Sequence, residues 1–424
     1  MKSPTCEYCG RCLSVCPSYK HHLVETMGPR ARIDLARAAS SGELVPGERY
    51  RKSISACLQC LACTEICGKG VDGAQIILDA RLALGMDNAT FGRRIERLVT
   101  SKLLASRPLL AKTLRISRIL QHVLRKDGSG SIRHMPALLE GIAGKRSIPA
   151  LAKKSIHELL PERIDPSGSV DYCGDVALFT GCFGGLVNVD AALRLVSALT
   201  SRGYAVYIPK AQSCCGAPAQ LSGFGDAFEE ARQRNVEAFI ACGDMPVLTM
   251  CATCHRTIRH EYGETGAWLS ERTIDASIFL RHHDAKHPHA PGTVPPMPAA
   301  VLHARKGRPV TLDDPLVVAV HDPCHFRLDP NVGRSVREEL RARPWIRLIE
   351  LPDAGACCGG GGISSLKNHD VADGLGQSRA QAVLKSGADI VTAQCPGCVL
   401  QLNNHLMRTG RDARACHALE LIGA

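Results

Sequence analysis

Apolar positions fall in two textures along the chain, and the change comes near Val176. Before it, apolar residues recur at helical spacing. Pro29 to Ala39 reads as a helix, with Pro29 suited to its first turn and Ile33, Leu35 and Ala36 available for packing. A second helix is expected from about Ala74 to Leu84. Further on, Ile95, Leu98, Val99 and Leu103, then Leu110, Leu114, Ile119, Leu120, Val123 and Leu124 keep a near-helical period, with Pro108 dividing two helices.

From Val176 onward short apolar runs alternate with longer helical stretches. Val176 to Phe179, Ala205 to Ile208 and Val247 to Met250 read as strands; Asp190 to Ser201, capped by Asp190, and Asp226 to Ala241 read as helices. Pro288, Pro291, Pro295, Pro296 and Pro298 then form a stretch that cannot pack inside a helix or sheet. Beyond it the same order returns. Leu316 to Val320, Ile346 to Glu350 and Asp389 to Thr392 are the strands, Ser335 to Ala342 and Asp370 to Lys385 the helices. Even the tails correspond, Ile274 to Leu280 against Cys416 to Leu421. The second part of the chain is an internal repeat.

Cysteine placement turns this outline into chemistry. Cys6, Cys9, Cys12 and Cys16 are followed by Pro17, giving C-x2-C-x2-C-x3-C-P, and Cys57, Cys60, Cys63 and Cys67 repeat the spacing with Gly68 in the proline's place. Three thiolates two residues apart can wrap one cubane, while the fourth reaches a second: in two-cluster ferredoxins the last cysteine of each run ligates the other cluster. The spacing predicts one [4Fe-4S] cluster on Cys6, Cys9, Cys12 and Cys67 and another on Cys16, Cys57, Cys60 and Cys63. Zinc sites pair C-x2-C knuckles and have no use for the third cysteine. Four disulfides are the other bland use of eight thiols. Arg30 and Arg32 could face an anionic cluster, although surface arginines need no such role.

Each repeat carries five more thiols at expected strand ends: Cys182, Cys214, Cys215, Cys251 and Cys254, then Cys324, Cys357, Cys358, Cys395 and Cys398. Spacings agree, with 31 residues between Cys182 and Cys214 against 32 between Cys324 and Cys357. A Cys-Cys-Gly must turn, and glycine permits the turn. Strand ends converging on one edge of an α/β unit are where such sites are built. Zinc remains an alternative to iron here. Cys173, Cys242 and Cys416 fall outside the sets and read as packing residues. His255 and His325 follow ligand candidates, as hydrogen-bond donors behind the ligands or proton carriers or, more blandly, as satisfied surface histidines.

At 424 residues with 45% apolar content the chain is globular, of about three domains. Met1 to Thr5 leaves no room for a leader before Cys6, and no apolar run spans a bilayer, so the 21 cysteines read as metal ligands in a reducing cytoplasm. Of the net charge of +11, the segment from Arg93 to Arg146 contributes all but one. That segment is either a connector with a solvated basic face or a surface for an anionic membrane or acidic partner. With 4% aromatics and no nucleic-acid motif, nucleic acid is an unsuitable partner.

The double ferredoxin motif followed by two cysteine-rich repeats resembles the glycolate oxidase iron-sulfur subunit family, related to the catalytic subunit of heterodisulfide reductase. The resemblance implies an α+β multidomain protein: a small α-helical ferredoxin-like two-cluster domain (1–86), a basic helical connector (87–169), a first CCG domain (170–284), a proline-rich linker (285–314) and a second CCG domain (315–424). It further implies that each five-cysteine set, Cys182, Cys214, Cys215, Cys251 and Cys254 or Cys324, Cys357, Cys358, Cys395 and Cys398, holds a non-cubane [4Fe-4S] cluster. No convincing G-x-G-x-x-G fingerprint is present, so FAD belongs on a partner subunit. The first expectation is an electron-transfer subunit of a glycolate or lactate dehydrogenase, delivering to a quinone or another carrier. The alternative is a thiol-disulfide reductase with catalysis on the CCG clusters, and a third class is a metal protein sensing oxygen or iron.

Overall fold

The computed structural model describes residues 5–85, 91–103, 152–168, 170–286, 294–361 and 368–423. Its N-terminal region is helical, with no strand among the described residues. Helix Pro29–Ser40 starts with its proline at the first position, where a missing N–H costs nothing. Helix Gly73–Leu84 is capped by Asp72, whose carboxylate accepts from the Gln75 amide at 3.0 Å. Between them Ala36, Ile77 and Ala80 bury against Tyr50 and Ile54 of helix Glu48–Ser55. Burying Ile54 and Ile77 contributes about 2 kcal/mol each.

Two sheets follow. In the first, β1 (Arg163–Ile164), β2 (Gly174–Phe179), β3 (Tyr204–Tyr207), β4 (Val247–Thr249) and β5 (Thr273–Asp275) lie in the order β1-β3-β2-β4-β5, parallel except for β1. In the second, β6 (Leu316–Val320), β7 (Ile346–Glu350), β8 (Ile390–Ala393) and β9 (Arg414–His417) lie in the order β7-β6-β8-β9, all parallel. The repeat expected from sequence is thus a repeat of topology. Val176 to Phe179 are all buried, as parallel strands covered on both faces require. In each sheet the chain leaves the central strand to one side and returns on the other, so the carboxyl ends of β2 and β4, and of β6 and β8, flank a topological switch point.

Three strands went unanticipated. β1 has two residues and β5 three, too short for an alternating pattern, while β9 and β5 begin the matched tails to which no element was assigned. Asp190 is not a cap: the helix is Val189–Thr200, preceded by Asn188, with Asp190 in its first turn. The helix expected from Ser335 begins at Pro330, where proline is at home in the first turn.

The halves share their core. Val176, Leu178, Leu195 and Leu199 of the first cluster with Val318, Leu340, Leu419, Leu421 and Ile422 of the second. Reciprocal contacts join the sheet ends: Gln394, just before Cys395, donates to buried Asp275 at 2.9 Å, while His417 donates to the carbonyl of Met250, just before Cys251, at 2.7 Å. The Ala252 amide donates to the Gln394 carbonyl at 3.0 Å. The N-terminal region docks on the pair through Arg81, a buried guanidinium that donates to the Ile54, Cys57 and Leu221 carbonyls.

The start of the basic segment forms helix Phe91–Arg97 and a π-helical turn, Leu98–Leu103. Arg93 donates to the Ser222 carbonyl at 2.9 Å and sits 4.5 Å over the Phe224 ring; Arg97 pairs with Asp226. These arginines are used against the first half. Pro108 and the rest of that segment to Arg146 lie outside the described residues, as do Pro288 and Pro291. Among the described residues no helix is long and apolar enough to cross a membrane.

Candidate metal centres

The two N-terminal cysteine runs share a backbone device. Tyr8 and Gly10 in the first, Gln59 and Leu61 in the second, all have positive φ, at 56°, 78°, 55° and 63°. Such values are uncommon outside glycine, and here they recur at equivalent places, curling each loop around its thiols. Cys16, Cys57, Cys60 and Cys63 line one small internal cavity together with Arg32. Burial pushes the Cys63 thiol up to about 12, with Cys57, Cys16 and Cys12 adding to it. The Cys12 thiol is raised by burial and then by Cys6, with a smaller share from Cys9. Lys69, two residues after Cys67, pairs with Glu7 at 2.8 Å, which lays the Cys67 loop beside the first run. Exposure is graded: Cys9 is exposed, Cys6, Cys12 and Cys67 are intermediate, and Cys16, Cys57 and Cys60 are buried. Arg32 is buried, donating to the Ser53 carbonyl and the Ser18 hydroxyl at 2.8 Å each, whereas Arg30 is occupied by Glu25 and the Tyr8 carbonyl.

In each later half the thiols gather at the carboxyl ends of three adjacent strands. Cys182 follows β2, Cys214 and Cys215 follow β3, and Cys251 and Cys254 follow β4; the second half repeats this on β6, β7 and β8. Gly216 and Gly359 turn the Cys-Cys pairs at φ 86° and 78°, as expected. The Cys182 and Cys214 sulfurs stand 3.7 Å apart, far beyond a disulfide, and all 21 cysteines are free. Neighbouring thiols share protons. Cys182 and Cys215 hold the Cys214 thiol high, while Cys214 holds Cys215 well below the usual thiol range; Cys358 is lowered by Cys398 and Cys395 by Cys251. So many buried sulfurs cannot all ionise without cations among them, which makes these donor sets fit for iron–sulfur clusters.

The sets are neighbours. Cys251 and Cys395 contact across the join of the halves, and Cys60 reaches the second set, packing with Cys357, Leu58, Ala62 and Val371 in one apolar cluster. A cavity of about 930 Å³ is lined by all five thiols of the first set, by Cys395, and by Asp190, His325 and Glu420. His325 bridges the groups, one ring nitrogen 2.9 Å from the Thr253 hydroxyl and the other 3.2 Å from the Gln59 carbonyl, and burial with Arg256 pushes it down to about 4. His255 is buried, 3.1 Å from the Thr249 hydroxyl and 3.5 Å from Asp329. Neither is a surface histidine, because folding brings polar partners from distant segments onto both. Cys242 and Cys416 are buried packing residues; Cys173 is exposed, its thiol 3.6 Å from the Asp171 carbonyl.

Two features escaped the sequence reading. Asn235 and Tyr262 hold the Cys-Cys turn of the first half: the Asn235 amide donates to the Cys214 carbonyl and to the Tyr262 hydroxyl, and that hydroxyl donates to the Cys215 carbonyl at 3.2 Å. His321 is fully buried beside Cys358 and Cys398. Its only signal was its place three residues before Cys324.

Residues 3–71 match the 4Fe-4S dicluster domain family, and residues 176–259 and 318–403 each match the cysteine-rich domain family, CCG. The chain joins a dicluster domain to two CCG domains. Over 98% of its length it is 26% identical to a probable glycolate oxidase iron-sulfur subunit of Bacillus subtilis, covering 92% of that protein. Over 97% it is 22% identical to one chain of the dihydromethanophenazine:CoB–CoM heterodisulfide reductase of Methanosarcina barkeri, covering 90% of it. Over 58% it is 30% identical to one chain of a CoM/CoB fumarate reductase of Methanothermobacter marburgensis, covering 45% of that chain. These relatives are subunits of oxidoreductases, and the dicluster and CCG domains are iron–sulfur modules: the chain is an iron–sulfur oxidoreductase subunit with a role in electron transfer.

Proposed function

We propose that the chain is the iron–sulfur subunit of a flavin-dependent 2-hydroxyacid dehydrogenase acting on glycolate or lactate, taking electrons from a partner flavoprotein and passing them to a quinone or another carrier. The observation that carries this reading is the unbroken succession of thiol sets, from exposed Cys9 through buried Cys60 to Cys357, and across Cys395 to Cys251. Cys6, Cys9, Cys12 and Cys67 would hold one [4Fe-4S] cluster and Cys16, Cys57, Cys60 and Cys63 the second. The two five-cysteine sets would hold the CCG clusters. Clusters in these places supply one-electron carriers between a two-electron flavin and its acceptor. The chain's own part is to exclude water from the inner thiols, to balance their charge with Arg32, and to keep consecutive sets in contact through the Cys60–Cys357 and Cys251–Cys395 pairs.

One observation favours a second reading, a thiol-disulfide reductase with catalysis on the CCG clusters: the cavity of about 930 Å³ that opens on the first five thiols, for which a simple relay has no use. One experiment separates the two. The protein is purified anaerobically from its own host, and glycolate, D-lactate or L-lactate is added while the cluster absorbance is followed. Flavin that co-elutes, with bleaching by one acid, supports the electron-transfer reading. Absence of flavin, with reoxidation of the dithionite-reduced protein by a disulfide alone, transfers the assignment to the reductase.

A further inference from the structure

The position three residues before the first cysteine of each CCG set is Phe179 in one half and His321 in the other. Both are fully buried at the end of a central strand. In the first half the place is apolar and tightly packed: the Phe179 ring stacks on Phe239 at 5.7 Å, and a Cβ built on Gly181 would lie 3.4 Å from that ring and 3.0 Å from the Cys254 sulfur. In the second half an imidazole occupies this place, and one ligand atom from each of His321, Cys358 and Cys398 lies within 4.8 Å of the others. Neither ring nitrogen of His321 has a nitrogen or oxygen partner among the described residues, and the group it interacts with is the Cys358 thiol. A buried imidazole has to pair with a polar group, and sulfur is what this place supplies.

We propose that His321 donates a ring N–H to sulfur at the cluster held by Cys324, Cys357, Cys358, Cys395 and Cys398, and thereby raises the reduction potential of that cluster. Five cysteines already suffice for the iron, so the imidazole is a hydrogen-bonding and positioning residue rather than a sixth ligand. Hydrogen bonds to cluster or ligand sulfur stabilise the more negative, reduced state, and they are among the determinants of iron–sulfur potentials. The cluster beside the dicluster region thereby gains an electron more readily than it would without the imidazole. Phe179 supplies no such bond in the first half, where the Thr257 side chain meets Cys215 instead. The inference rests on the proposed occupancy of the second set.

The test uses the full-length protein, purified anaerobically with 15N-labelled histidine, as wild type, His321→Phe, which installs the residue the first half carries, and His321→Gln. Iron and sulfide are counted, a redox titration is followed by EPR, and nitrogen couplings are read by pulsed EPR on the paramagnetic state. The expected result is a histidine nitrogen coupling that is lost in both variants, and one component moving to lower potential in His321→Phe, less so in His321→Gln, at unchanged iron content. Iron in the second site with no histidine coupling in the wild type, or an unmoved potential in His321→Phe, overturns the inference alone. If His321→Phe loses iron, the wild-type coupling and the His321→Gln potential decide it by the same criteria. A wild-type protein whose iron content is unchanged by Cys358→Ser overturns the occupancy and the inference together.

Discussion

In the first CCG half the Cys214–Cys215 turn is held from behind by Asn235 and Tyr262 and opens forward on a large cavity; in the second, Cys357 lies under the dicluster region, packed with Cys60. The four parallel strands take the same order in both, and the thiol spacings agree to within one residue. Duplication has kept the donor set and changed what surrounds it. The second set lies against the inner thiols of the N-terminal region, while the first gives all five of its thiols to the cavity, to which the second gives Cys395. The difference teaches that duplicated donor sets have been given distinct neighbours.

The hardest way to break this comparison is to remove one thiol from each half. Cys215→Ser and Cys358→Ser are each expected to lose the iron of one cluster, roughly four atoms per chain, while the other half keeps its own; iron analysis with EPR checks it. Loss from both halves at once would mean the sites load as a unit. Next come the turn glycines. A Cβ at Gly359 would lie 2.5 Å from the Ala372 carbonyl oxygen, which belongs to a helix and cannot yield, whereas one at Gly216 would meet the Phe228 ring at 2.7 Å, which can turn. Both also carry the strain of positive φ. Gly359→Ala is expected to cost about 4 kcal/mol and Gly216→Ala about 2 kcal/mol, read as a difference in chemical denaturation midpoints.

Each half buries a carboxyl at the end of its sheet, Asp275 in the first and Glu420 in the second. Glu420 is raised from 4.5 to about 7 by burial, against the opposing effect of the hydrogen bond from the His417 amide; Asp190 raises it further and Arg194 opposes. A carboxyl that holds its proton more tightly folded than unfolded contributes most below pH 4.5, and stability falls as pH rises from there through about 7. The loss amounts to about 3 kcal/mol, and Glu420→Gln is expected to flatten the stability profile over that window. The smallest effect is at the clamp. Tyr262→Phe removes the hydrogen bond to the Cys215 carbonyl and the one accepted from Asn235, and is expected to cost about 1.5 kcal/mol, without shifting the potential of the second half.

The cysteine spacings, the alternation of strands and helices, and the repeat were all legible in the residues, because each is a local or periodic property of the chain. Helix Pro29–Ser40 and strands β2, β6 and β7 lie close to where their patterns place them. By itself the sequence determined which thiols recur together and in what repeated sets. The tertiary structure decided what those groups meet. That His325 joins Thr253 to the Gln59 carbonyl, that His321 stands against Cys358 and Cys398, that Cys60 lies against Cys357, and that Asp275 and His417 lock the halves together all depend on contacts between segments tens to hundreds of residues apart. Burial and hydrogen-bond satisfaction are properties of such contacts, and no periodicity along a chain encodes them.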